Sequence, residues 1–236
     1  MILGLLNWNS LERDLAYVNQ VDSDSQNLRV YIEGDGLPWF TRYLKASDPT
    51  PKNPLMLSLM SRDTTRSMYL GRPCYFGKAH DKGCSHLIWT EARYSEKVVD
   101  SMAHAINNYV YDKGIRHLQF IGHSGGGTLA MLLAERFENT NLVVTLAGNL
   151  DIDAWTRYHH YSPLYLSLNP ADQAPLSKSV RQIHYAGIND TVVPPEIIDS
   201  AIKNQPTATY ILLDQQDHSC CWNNVWPNIL IYINQL

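Results

Sequence analysis

Apolar runs that alternate with helical segments constrain the fold of this chain more than any other feature. Strand-like runs lie at 27–32, 67–70, 117–121, 142–147, 180–186 and 207–213. Segments with helical spacing or helical boundary residues follow at 54–61, 95–113, 128–137, 195–203 and 221–234. Strands that are apolar throughout must be covered on both faces, which parallel strands joined by helices achieve. The pattern predicts an α/β fold, a three-layer α/β/α sandwich around a mostly parallel central sheet.

The length of 236 residues suits one buried core, so residues 1–236 are predicted to form a single domain. Residues 148–179, which follow the predicted strand at 142–147, are more than a normal connection needs, and they are rich in tyrosine and tryptophan. We predict a small helical insertion over the carboxyl edge of the sheet. It acts as a cap or lid over a site, or it packs on a satellite core of its own, and the sequence leaves both open.

Charge and hydropathy narrow the classes of partner. The net charge is −4 and no basic stripe is present, so nucleic acid is not an expected partner. No stretch approaches the roughly 18 apolar residues of a membrane span, so no integral membrane segment is expected. No phosphate-binding loop or dinucleotide fingerprint occurs, and no cofactor is expected. The sequence does not indicate an oligomeric state.

The stretch LQFIGHSGGG at 118–127 places one serine among glycines where a predicted strand ends and a helix follows. It contains the pattern G-x-S-x-G in the strand-to-helix context that the pattern requires. In such a turn the serine takes an unfavourable backbone conformation, and the residues two positions away must lack side chains for the turn to close. Ser124 is therefore predicted to be a nucleophile. The alternative is a glycine-rich turn whose serine caps the helix.

A serine hydroxyl needs a base to take its proton and an acid to hold that base. In this architecture the acid and then the histidine follow the serine along the chain. His218 is the preferred base because it follows the last predicted strand in a polar loop, whereas His184 lies inside an apolar strand. Asp190, in the turn after the preceding strand, is the preferred acid. Three rival aspartates also suit plain turn or capping roles: Asp151, Asp153 and Asp217.

When a serine attacks a carbonyl carbon to transfer an acyl group, the carbonyl oxygen becomes negatively charged in the transition state. N–H groups aimed at this oxygen are needed to stabilise it. Gly125, the residue after the nucleophile, is predicted to supply one main-chain donor. The strand end YIEGDG is predicted to supply the second from Asp35 or, as second choice, from Gly36. A carboxylate beside an oxyanion repels it, so the Asp35 side chain must point away or be neutralised by Arg72 or Arg93. The alternative is a simple glycine turn.

Aromatic and sulfur-containing residues give weaker signals. Four cysteines permit disulfides without fixing a pairing; a bridge between Cys74 and Cys84 could close the short loop between them. Their spacing with nearby histidines is not a standard zinc pattern, so no metal is expected. A bond between the neighbours Cys220 and Cys221 is strained, which favours independent thiols or cross-pairing.

Three aromatic residues are candidates for substrate binding, although each also suits core packing: Trp39, Trp155 and Tyr158.

Together these motifs resemble the α/β-hydrolase superfamily. GHSGG is similar to its nucleophile elbow, GINDTVVP to its acid loop, and DH before the last helix to its histidine loop. The order matches over nearly the whole chain. The motifs YIEGDG, GRPC and GHSGG narrow the resemblance to a little-characterised bacterial group whose members are often exported. Glu33 departs from the superfamily pattern, because many members have a histidine before the glycine.

The resemblance implies a triad of Ser124, Asp190 and His218 that hydrolyses a carboxylic ester by acyl transfer, with a small-molecule ester or acyl compound as substrate. A peptidase or amidase with the same triad stays open, as does a non-catalytic binding protein on the same fold. The resemblance also implies an exported or periplasmic protein, in which the Cys74–Cys84 bridge is expected. The chain itself carries no recognisable signal peptide, which leaves a cytoplasmic location as the other expectation.

Overall fold

One β-sheet organises the part of the chain that the computed structural model describes, residues 4–5, 16–19, 26–111 and 113–236. Its strands are β1 (Gly4–Leu5), β2 (Ala16–Val18), β3 (Asn27–Ile32), β4 (Ser67–Leu70), β5 (His117–His123), β6 (Thr140–Leu146), β7 (Arg181–Gly187) and β8 (Ala208–Leu213). The order across the sheet is β1-β2-β4-β3-β5-β6-β7-β8. Strands β3 to β8 pair in parallel, which confirms the predicted mostly parallel sheet.

The first two strands are antiparallel to their neighbours and were not predicted. They are two and three residues long, which is too short for a periodicity to show in the sequence. They extend the sheet beyond β4, on the side away from β5.

Helices cover both faces of the sheet. They are α1 (Leu55–Met60), α2 (Glu96–Val110), α3 (Gly125–Ala134), α4 (Ile152–His159), α5 (Pro195–Ala201) and α6 (Trp222–Asn234). One cluster of buried apolar side chains joins α2, α3 and α5 to one face, and a second joins α1 and α6 to the other. Successive residues of β3 alternate between them, with Val30 in the first and Tyr31 in the second. Two cores on opposite faces confirm the three-layer α/β/α fold.

Helix α3 begins at Gly125, three residues before the predicted start at 128. Glycine has a low helix propensity, which made these positions resemble a turn. Every residue of α3 is buried, so tertiary packing overrides that propensity and the helix follows the strand without a loop.

The insertion at 148–179 lies between β6 and β7 and contains α4 and a 3₁₀ turn at Pro170–Asp172. The Asp151 carboxylate caps α4 by accepting hydrogen bonds from the N–H groups of Asp153 and Ala154. Within the described ranges, no helix has the length and apolar character needed to cross a bilayer.

Candidate active site

Ser124 occupies the sharp turn between β5 and α3. Its φ of 53° and ψ of −124° lie in a region that residues with a Cβ rarely adopt, and such backbone strain costs roughly 1–3 kcal/mol. The surroundings hold this conformation: the Ser124 N–H donates to Leu146 O (3.0 Å), and its carbonyl accepts from the N–H groups of Gly127 (2.9 Å) and Asn149 (3.0 Å). The serine is thus fixed by backbone contacts on both sides.

The glycines around Ser124 are required by close packing. A Cβ at Gly122 would lie 2.2 Å from Gly126 O, and a Cβ at Gly126 would lie 2.2 Å from Ile32 O. Both distances are far below van der Waals contact, so the strand and helix approach only because these positions lack side chains. The prediction that glycines two residues from the serine let the turn close agrees with this geometry.

Ser124, His218 and Asp190 form one hydrogen-bonded chain. His218 Nε2 lies 3.0 Å from Ser124 Oγ, and His218 Nδ1 lies 2.9 Å from Asp190 Oδ2. The three residues follow β5, β8 and β7, whose carboxyl ends lie at the same edge of the sheet. The structure therefore brings together the three side chains that were singled out from positions far apart in the sequence.

The Asp190 carboxylate is fully buried, and both of its oxygens have partners. Oδ1 accepts from the N–H groups of Val192 and Val193, each at 2.8 Å, while Oδ2 faces His218. Two of the rival aspartates are occupied as caps of local turns, Asp151 at α4 and Asp217 at Ser219 and Cys220; Asp153 lies in the first turn of α4. His184 is buried in the core, 2.9 Å from Thr145 Oγ1.

The main-chain carbonyl of His218 is held by two buried rings. His123 Nε2 lies 2.7 Å from this oxygen and Trp222 Nε1 lies 3.2 Å from it. Burial lowers the pKa of His123 to about 4, so the ring is neutral near pH 7. A carbonyl only accepts hydrogen bonds, which places the His123 proton on Nε2. Sequence reasoning missed this contact, because no pattern of residue types marks the main-chain carbonyl of a residue 95 positions away as the acceptor.

The loop after β3 packs against the turn that carries Ser124. A Cβ at Gly34 would lie 3.4 Å from the Ser124 Cβ, and a Cβ at Gly125 would lie 2.0 Å from Asp35 Oδ1. The Asp35 carboxylate thus lies against the Cα of Gly125. Gly36 has a φ of +68°, and a Cβ there would lie 2.0 Å from Pro49 O, so its backbone conformation and packing both require glycine.

The negative charge of Asp35 is neutralised by the two arginines that the sequence suggested. Arg72 Nη1 lies 2.7 Å from Oδ1 and Arg93 Nη1 lies 2.8 Å from Oδ2, while the Tyr94 hydroxyl donates to the same carboxylate. Burial alone would raise the pKa of Asp35, but the two guanidinium groups outweigh it and lower the pKa to about 2. Asp35 is therefore a carboxylate that is ionised near pH 7 and held in place by these three groups.

Glu33 lies two residues earlier and has a different environment. Its Oε2 accepts from the N–H of Met56 at the start of α1 (2.9 Å), and its Oε1 from the N–H of Gly34 (3.3 Å). Burial raises the pKa of Glu33 from 4.5 to about 7, against the opposing effect of these donors and of Arg72. Through these contacts Glu33 links the loop to α1.

The three aromatic candidates for substrate binding differ in their surroundings. The Trp39 ring lies under the Lys45 ammonium, 5.4 Å from its centroid. Trp155 donates from Nε1 to Val192 O, and Tyr158 is 56% exposed on α4. Substrate binding by these residues stays a prediction.

Both cysteine pairs are disulfides in the structure. Cys74 and Cys84 are joined with a Cα–Cα distance of 5.6 Å, which agrees with the bridge considered from the sequence. Cys220 and Cys221 are also joined, so the expectation of independent thiols or cross-pairing is wrong. The second pair lies between His218 and the first residue of α6.

No family model and no curated protein matches the chain, but solved structures do. The α/β-hydrolase domain-containing protein 10 from mouse shares 12% identity at a TM-score of 0.64, over 100% of this chain and 98% of its own. Est1E from Butyrivibrio proteoclasticus shares 12% identity at a TM-score of 0.63, over 99% and 96%. The chain has the α/β-hydrolase fold. A puromycin-hydrolysing peptidase from Mycobacterium tuberculosis also matches, with 16% identity and a TM-score of 0.64, over 92% of this chain and 36% of that one.

Proposed function

We propose that this protein is a serine hydrolase that cleaves a carboxylic ester by acyl transfer. The observation that carries the proposal is the chain from Ser124 Oγ through His218 to Asp190 Oδ2, with donor–acceptor distances of 3.0 and 2.9 Å. These are hydrogen-bond distances, and the order of nucleophile, base and acid is the one that acyl transfer requires.

The mechanism follows from the positions of the protons. Because Asp190 is an acceptor, it favours the tautomer of His218 that carries its proton on Nδ1, which leaves Nε2 free to take the proton of Ser124. Ser124 Oγ then attacks the ester carbonyl, and His218 returns the proton to the leaving alcohol. Water attacks the acyl-serine by the same route and releases the acid. Asp190 stabilises the imidazolium and does not itself take the proton.

The negative oxygen of the tetrahedral intermediate is assigned to the main-chain N–H groups of Gly125 and Asp35. Gly125 begins α3, whose amino end favours negative charge. No described residue accepts a hydrogen bond from either N–H. The pairing of the Asp35 carboxylate with Arg72 and Arg93 removes the repulsion that a free carboxylate would exert.

Ester and amide substrates use the same machinery, and solved structures of both kinds share the fold. Est1E has been solved with ferulic acid bound, and another relative in fold is the puromycin-hydrolysing peptidase. We propose the ester because an alcohol is a better leaving group than an amine, so an ester makes the smaller demand on the same serine–histidine–aspartate chain. A panel of p-nitrophenyl esters of increasing acyl length, compared with aminoacyl p-nitroanilides, measures the preference directly. Higher kcat/KM on the anilides would reassign the protein as an amidase.

A fluorophosphonate probe tests the proposal itself. We expect the wild type to be labelled, Ser124→Ala to be unlabelled, and Ser179→Ala, a matched change at an exposed serine, to label like the wild type. Circular dichroism establishes that each variant is folded. A folded wild type that takes no label and hydrolyses no ester or amide would instead support a non-catalytic binding protein on this fold.

A further inference from the structure

Helix α4 of the insertion contacts the loop that carries Asp190. Trp155 Nε1 donates to the main-chain oxygen of Val192 (2.7 Å), and His159 Nε2 lies 2.8 Å from the same oxygen. The two residues are four positions apart, so they lie on the same face of the helix. A carbonyl oxygen has two lone pairs, and these two rings occupy both.

The Val192 carbonyl belongs to the peptide group whose N–H binds the triad acid. That N–H is the amide of Val193, which donates to Asp190 Oδ1 (2.8 Å). Hydrogen bonds accepted by a peptide oxygen polarise the group and strengthen the bond that its N–H donates. A continuous path thus runs from the rings of Trp155 and His159, through one peptide group, to Asp190 and on to His218.

Ring contacts fix the orientation of His159. Its imidazole stacks on the Tyr161 ring with centroids 5.1 Å apart and an interplanar angle of 15°. The Trp155 ring meets it edge-on at 5.5 Å, and the Tyr158 ring at 4.9 Å. These three ring contacts direct His159 Nε2 at the Val192 carbonyl and so support the contact between the insertion and the loop that carries Asp190.

We propose that Trp155 and His159 are positioning residues that hold Asp190 in line with His218, and that the insertion braces the acid loop of the triad. The proposal rests on the proposed hydrolase function. It gives Trp155 a role other than the predicted substrate contact, and it makes the contact between α4 and Val192 part of the active conformation.

Variants that keep the rings but remove the donors test the proposal. For Trp155→Phe and His159→Phe we expect kcat for p-nitrophenyl acetate to fall about twofold to thirteenfold each, since one hydrogen bond contributes about 0.5–1.5 kcal/mol. KM should stay within about twofold, because neither ring is assigned to the substrate. His159→Gln retains a donor near the Nε2 position and should recover most of the loss. Arg157→Ala, an exposed change on the same helix, should leave kcat unchanged.

A double-mutant cycle with Asp190→Asn separates positioning from other roles. A residue that acts through Asp190 has no further effect once that carboxylate is gone, so Trp155→Phe should not slow fluorophosphonate labelling of Asp190→Asn any further. Unchanged kcat in the Trp155→Phe/His159→Phe protein, or a loss that persists in the Asp190→Asn background, would overturn this inference alone. A folded wild type that is never labelled would overturn the proposed function and this inference together.

Discussion

Asp35 packs against the turn that carries Ser124 and Asp190 pairs with His218, yet the partners of these two carboxylates are of opposite kinds. Asp35 is bound by two guanidinium groups and a tyrosine hydroxyl. Asp190, whose side chain is fully buried, is bound by two main-chain N–H groups and by His218.

This difference makes Asp190, and not Asp35, suited to the proposed role of orienting His218. The charge of Asp35 is already compensated by Arg72 and Arg93, so it has little electrostatic attraction left for another cation. Asp190 has no fixed cation in its hydrogen-bonding shell, and one of its oxygens faces His218. In the proposed mechanism, Asp190 therefore compensates the positive charge that forms on His218 when it takes the serine proton. We infer that the partners of each carboxylate decide its proposed role.

The substitution Asp190→Asn tests the Asp190 side of the comparison, and its expected effect, on kcat, is the largest. The amide group can donate to His218 Nδ1, which moves the histidine proton to Nε2 and removes the acceptor for the Ser124 proton. We expect kcat to fall about a thousandfold to ten-thousandfold, the range typical of a triad acid, with little change in the urea midpoint. The hydrolysis rate of p-nitrophenyl acetate measures it. A loss smaller than about tenfold would mean that Asp190 does not hold the base.

Asp35→Asn tests the other side of the comparison and should act on stability. It leaves Arg72 and Arg93, both nearly fully buried, without their shared anion, and an unpaired buried charge costs about 3–5 kcal/mol. The free energy of unfolding in urea measures the loss. Asp199→Asn is the matched control, because its pair with Lys203 is exposed and 3.8 Å long and should contribute less than about 1 kcal/mol. Equal losses in the two variants would contradict the assigned role of the guanidinium groups.

Much of the fold and the chain of three side chains could be predicted because both depend on local sequence signals. Strand β3 spans 27–32 in the sequence pattern and in the structure. The glycines at 122 and 126 mark a turn that sterics require, and Asp190 and His218 follow strands whose ends must meet at one sheet edge. In each case a short segment carries the information.

The braces around the site could not be predicted, because each depends on contacts between distant segments. His123 reaches the carbonyl of a residue 95 positions away, and Trp155 one that is 37 positions away. Every residue has a main-chain carbonyl, so no pattern of residue types shows which of these carbonyls will accept a hydrogen bond. The packing at Gly125 could not be predicted either. This position must be glycine because the Asp35 carboxylate, from a distant segment, packs against its Cα.

The substitution Glu33→Gln extends the comparison to a third carboxylate, and its expected effect, on the pH dependence of the free energy of unfolding, is the smallest. Glu33 lies on the same loop as Asp35 but accepts from main-chain N–H groups, and burial raises its pKa from 4.5 to about 7. The native protein therefore holds this proton more tightly than the unfolded chain. The contribution of Glu33 to the free energy of unfolding is fully present below pH 4.5 and is lost as the pH rises to about 7. At about 1.4 kcal/mol per pKa unit, the loss amounts to about 3 kcal/mol.

Glutamine cannot titrate, so the variant should gain about 3 kcal/mol relative to the wild type between pH 4.5 and pH 8, whatever its absolute stability. Urea unfolding at these two pH values measures the change. Burial also lowers the pKa of His123, and this gives the opposite slope over a similar range, but it is common to both proteins and cancels in the difference. A difference that does not vary with pH would mean that Glu33 is ionised throughout, like Asp35. The contrast between guanidinium-bound and main-chain-bound carboxylates would then not decide which groups titrate at this site.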